Sequence, residues 1–145
     1  MFVYEKLEVK HLPFLYEIRF SVKENLLLSH HIQYLMRDQA IKDIKQGGGW
    51  ICRVGEEYVG VAFGLFIPEP IIGGLFVKPE YESMGIGTEL LRKVTDWLFS
   101  KGAEYIILTT DVGTKAERFY KKNGWVVQGL DEFGQVELKK ERELL

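Results

Sequence analysis

A chain of 145 residues, 46% hydrophobic and 28% charged, has the size and composition of one domain around one core, which excludes intrinsic disorder and a small disulfide-stapled scaffold. Its formal net charge of -2 is scattered along the chain and leaves no basic face for nucleic acid. The lone Cys52 has no disulfide partner and no metal-ligand cluster around it, and no apolar run approaches the roughly 20 residues of a membrane span. Residues 1–20 carry Glu5, Glu8 and Glu17 and lack the pattern of a signal peptide, so the expected location is the cytoplasm.

The opening FVYEKLEV, rich in β-branched and aromatic residues, predicts a strand. From His11, the spacing of Leu12, Leu15, Ile18 and Val22, with Pro13 in the first turn, predicts a helix to about Phe20. A second helical pattern runs through Ile32, Leu35, Met36, Ile41 and Ile44 and stops at Gly47, Gly48 and Gly49. WICRVG, EYVGVAFGLFI and PIIGGLFV then read as an antiparallel meander, broken at Gly55 with Glu56 and at Pro68 with Pro70. Within its last strand, Gly73 and Gly74 fit a bulge or close backbone approach and equally a plain weak strand.

After Gly85, the stripe Ile86, Leu90, Leu91, Val94, Trp97 and Leu98 predicts a helix closed by a left-handed Gly102. YIILTT predicts a buried strand, and Thr114 with Glu117 a capping box that opens a last helix through Ala116, Phe119 and Tyr120 to Asn123 and Gly124. WVVQG and QVELK close the chain as a hairpin about a turn at Asp131 to Gly134. This order predicts a single α/β domain over 1–145, a mixed central sheet with helices on both faces, in which the strands flanking the long helix run parallel.

Chemistry concentrates in LFVKPEYESMGIGTELL, where a buried strand leads through a loop into a helix that starts on glycines. Free amides at Gly85, Ile86, Gly87 and Thr88, together with the positive end of the helix dipole, make an anion site, although a G-x-G before a helix also serves as a plain tight turn. A dinucleotide-binding oxidoreductase fits poorly, because the third glycine is missing and the motif lies past mid-chain.

These residues carry a resemblance. E-S-M-G-I-G, from Glu82 to Gly87, is similar to the acetyl-CoA signature Q/R-x-x-G-x-G/A of the GNAT superfamily of N-acetyltransferases, and Leu75, Val77 and Pro79 match the L-x-V-x-P strand before it. AERFYKKNGW, from Ala116 to Trp125, resembles the family's A-x-x-F-Y-x-x-x-G-F/W segment. The resemblance covers about the C-terminal half and implies the GNAT fold, with acetyl-CoA as acyl donor and an amine as acceptor. It implies that the strands at Leu75 to Val77 and Tyr105 to Thr109 splay apart, so that the cofactor arm acts as a missing strand. The implied cofactor contacts are Leu75, Phe76 and Val77 on the strand, Glu82, Ser83 and Met84 in the loop, and Gly85, Ile86, Gly87 and Thr88 at the helix start. Gly113 and Thr114 complete the set. Two positions depart from the pattern: Glu82 puts a carboxylate near the expected pyrophosphate, and Gly113 stands where many members have asparagine.

Tyr120 matches the family tyrosine near the sulfur and is the implied general acid for the departing thiolate, a transfer uphill by roughly 2 kcal/mol from reference pKa values of about 10 and about 8.5. Its alternative role is packing beside Phe119. Glu24, His30, His31, Glu69 and Asp111 are candidate bases with no motif behind them, and ordinary solvated or capping roles stand beside each. The acceptor pocket is expected between residues 21–34 and the final hairpin, where Phe20, His30, His31 and Tyr34 suggest an uncharged or aromatic portion in the acceptor. The expected activity is direct acetyl transfer to an amine of a small molecule or protein; the alternative is a non-catalytic acyl-CoA-binding module. No metal is expected, and the edge of the C-terminal hairpin offers a homodimer contact.

Overall fold

A computed structural model describes residues 1–143. Its β-branched and aromatic stretches extend as β1 (Phe2–Lys6), β2 (Gly49–Val54), β3 (Glu57–Phe66), β4 (Pro70–Val77), β5 (Tyr105–Thr110), β6 (Val126–Leu130) and β7 (Val136–Glu141). They form one seven-stranded sheet of order β1-β2-β3-β4-β5-β7-β6. β2 to β4 are the expected antiparallel meander, β1 pairs antiparallel with β2 at its edge, and β4 and β5 are parallel. The last strand enters between β5 and β6, pairing antiparallel with both.

Helices cover both faces, because successive strand residues point to opposite sides. Ile51 and Val61 pack with Leu15 and Ile18 of α1 (Leu12–Ser21) and with Ala40 and Ile44 further on. Their neighbours Cys52 and Ala62 belong to the opposite core, with Leu90, Val94 and Leu98 of the long helix Ile86–Ser100. That helix stops where Gly102 takes a φ of 100°.

The single helix expected from Ile32 to Ile44 is two: α2 (Ile32–Leu35) and α3 (Arg37–Lys45). Met36 between them is extended, at φ -60° and ψ 136°. Its carbonyl opens α3 by accepting from Ala40 N at 2.9 Å, and the Tyr16 hydroxyl donates to Leu35 O at 2.7 Å, satisfying a carbonyl at the break. Ile32 and Met36 are consequently exposed rather than core. The long helix is α4 (Ile86–Ser100), and the last is α5 (Lys115–Lys122). The capping box of α5 is half realised: Thr114 Oγ1 accepts from Glu117 N at 3.2 Å, but the Glu117 carboxylate accepts from Gly113 N at 2.7 Å instead of from Thr114.

Candidate active site

β4 and β5 pair at a single register point, Ile71 with Ile107. Two residues later β4 carries a bulge: Ile72 faces Gly64 and Gly74 faces Phe63, so Gly73 is the extra residue. A Cβ on Gly73 would lie 2.6 Å from the Phe63 ring, so only glycine fits the bulge. A bulge bends its strand, and β5 is held instead by β7 along Tyr105 to Thr110. The result is an opened sheet. Lys78 N donates to Val59 O at 2.8 Å; because backbone groups alternate sides along a strand, Val77 and Leu75 turn theirs towards the gap.

The gap is the floor of a cleft of about 1310 Å³. One wall is the start of α4. Among the described residues, none of the amides of residues 83–88 donates to another group of the chain. Ser83 and Gly85 take φ values of 62° and 85° to make the turn, and the helix dipole adds positive potential there. A Cβ built on Gly87 would sit 3.7 Å from Phe119 and 3.8 Å from Leu75, ordinary contact distances. Packing therefore does not demand glycine at 87; its absent side chain keeps the space before the amides open. Glu82, Ser83, Gly85, Gly87 and Thr88 line the cleft with Leu75, Phe76 and Val77. Ile86 instead buries its side chain in the core, and Met84 is exposed. The Glu82 carboxylate lies 3.4 Å from Lys115 Nζ on α5, which offsets its charge at the cleft mouth.

Gly113 and Thr114 lie outside the cleft lining and are absorbed in the start of α5. Lys115 N there donates to the Glu24 carboxylate at 2.9 Å. Further along α5, Tyr120 faces the cleft while its ring packs edge-on against Phe119 and Trp125, at 5.4 and 5.8 Å. Its hydroxyl has no hydrogen-bond partner among the described residues, and burial pushes its pKa well above the ordinary value of 10.0. Packing and a free proton donor thus coexist in one side chain.

The far end of the cleft lies between the α1–α2 connection and the β6–β7 turn, which meet where His30 stacks on Phe133 at 3.7 Å. Phe20, expected here, is 64% exposed and stays outside. The candidate bases are mostly engaged elsewhere. Glu69 accepts from the Tyr105 hydroxyl at 2.9 Å and Asp111 from Gln135 Nε2 at 3.0 Å, neither lining the cleft. His31 lines it, but its Nδ1 accepts from Leu28 N at 3.3 Å, and burial, then the charges of His30 and Arg19, hold its pKa below 6.5. Among the lining residues that escaped the sequence reading are two buried charges, Arg19 and Asp43, each 8% exposed. Asp43 accepts from Gln39 Nε2 at 2.9 Å, and burial raises its pKa. The available signal was position: Arg19 follows Leu15 by four residues and Asp43 follows Ala40 by three, each placing a charge on a buried stripe. No group of metal-ligating side chains occurs among the described residues.

A sheet opened beside a strand edge, with free amides at its mouth, suits a ligand that carries phosphates and lays an extended arm along the strand. The model of the acetyltransferase (GNAT) family matches residues 12–125, and the chain belongs to that family. It is an acyltransferase, with acetyl-CoA as its donor. Among solved structures it is similar to the PaiA N-acetyltransferase of Thermoplasma acidophilum in complex with coenzyme A, at 20% identity and a TM-score of 0.82 over 98% of this chain and 99% of that one. It is also similar to an acetyltransferase of the GNAT family from Staphylococcus aureus, at 18% identity and a TM-score of 0.80 over 99% of this chain and 100% of that one. No curated protein matches the sequence.

Proposed function

We propose that residues 1–145 act as one N-acetyltransferase domain that transfers acetyl to an amine of a small molecule or protein in the cytoplasm. The observation that carries this reading is the opened β4–β5 edge running to the unpaired amides of residues 83–88. Those amides hold the phosphates, and the β4 edge at Leu75 and Val77 orients the arm and supplies a donor to the thioester carbonyl. Acetyl-CoA supplies the activated acetyl group. Tyr120 holds a proton at its hydroxyl for the sulfur as the carbon–sulfur bond breaks.

The acceptor must arrive as a free amine. For an amine of reference pKa about 10.4, deprotonation at pH 7 costs at most about 4.6 kcal/mol, which a desolvating cleft reduces. No helix among the described residues is long and apolar enough to cross a membrane. The test is release of free thiol from acetyl-CoA across a panel of small amines and peptides, with product confirmed by mass. Tight coenzyme A binding without transfer to any member would leave a binding module in place of the enzyme.

A further inference from the structure

Arg19 is a buried cation without an anion. It is 8% exposed, with its guanidinium carbon 4.4 Å from the Phe76 ring centroid, and its Nη1 donates to Asn25 O at 3.0 Å. No other hydrogen bond and no ion pair of Arg19 occurs among the described residues. Asp111 acts on its charge from beyond pairing distance, its own carboxylate held by Gln135 Nε2 at 3.0 Å. The remaining N–H groups belong to a side chain that lines the cleft. A planar guanidinium with free donors and one face covered by an aromatic ring is built to receive a bidentate oxyanion along its edge.

We propose that the acceptor is an aminocarboxylate and that Arg19 binds its carboxylate at the inner wall of the cleft. This rests on the acetyl-transfer reading of the same cleft. A monoanion suits the site better than a phosphate dianion, because Asp111 already places negative charge nearby. Phe76, beneath the guanidinium, lies between Leu75 and Val77 on the opened edge. A carboxylate on Arg19 therefore sets a nearby amine beside the strand that orients the thioester.

The test compares L-amino acids with their carboxamides, and peptides starting with Asp or Glu with those starting with Asn or Gln; the two arms separate free amino acids from acidic peptide ends. Transfer is read by thiol release, and binding to the coenzyme A-loaded protein by calorimetry. Wild type should favour the carboxylate by about tenfold or more in kcat/KM in one arm. Arg19→Gln should collapse the carboxylate-over-carboxamide ratio of kcat/KM, with the loss carried by the KM of the carboxylate, and Arg19→Lys should restore part of that ratio. Equal use of carboxylate and carboxamide by wild type overturns the proposal, as does an Arg19→Gln variant that weakens both equally, the mark of a purely packing residue. If nothing is acetylated but carboxylates bind in an Arg19-dependent way, the transfer reading falls and the carboxylate site stands. Transfer to uncharged amines, with no carboxylate bound, does the reverse.

Discussion

Tyr120 is the residue where packing and chemistry must be separated, because its ring belongs to the core while its hydroxyl pairs with nothing in the chain. Phenylalanine keeps the ring and removes only the proton. With Tyr120 as general acid, Tyr120→Phe lowers kcat by roughly 10²-fold or more and leaves acetyl-CoA affinity and unfolding free energy nearly intact. Raised by burial, the phenol stays protonated through neutral pH, as a donor must. Steady-state kinetics beside calorimetry and denaturant unfolding check this. A kcat within about threefold of wild type, with chemistry rate-limiting, makes solvent the proton source and Tyr120 a packing residue.

The start of α4 makes a similar separation possible for an element. Gly87 is not required by the fold, since its Cβ would find ordinary contacts, yet a β-branched side chain there fills the space in front of the free amides. Gly87→Val should therefore weaken coenzyme A binding in calorimetry far more than it lowers the denaturation midpoint; wild-type affinity would place the phosphate cradle elsewhere. This element was legible in the sequence because the apolar stripe from Ile86 to Leu98 and the glycines before it are local signals. The meander was legible for the same reason. The opening of β4 from β5 was not, apart from the resemblance: it depends on the Gly73 bulge and on β7 competing for β5, both long-range pairings. The break at Met36 was hidden too, because it is fixed by the hydroxyl of Tyr16 from another helix. Arg19 and Asp43 were passed over because a charge on an apolar stripe reads as surface until the cleft beside it is seen.

For the molecule as a whole, stability should depend on acid through two histidines kept neutral in different places, His11 against the α1 face and His31 in the cleft. His11 is 1% exposed, and its Nδ1 accepts from Glu8 N at 2.9 Å, so a proton on that nitrogen breaks the bond and charges a buried ring. Burial, reinforced by Lys10 and opposed by Glu5 and Glu8, lowers its pKa from 6.5. A lowered folded-state pKa means that the unfolded chain binds more protons below 6.5, so unfolding free energy is full above that pH and falls as pH drops. The loss is at most about 1.4 kcal/mol per pH unit for each histidine. Asp43 has the opposite sign, because burial raises its carboxyl above 3.8 and protonation there favours the folded state. Urea unfolding at pH 7, 6 and 5 should show stability falling on acidification, and His11→Asn should flatten that slope even where the variant is less stable at pH 7. The slope is the test, because a lost cap lowers stability equally at every pH. Parallel wild-type and variant slopes would mean that His11 takes up its proton as readily in the folded protein as in the unfolded chain, and that the acid sensitivity originates elsewhere.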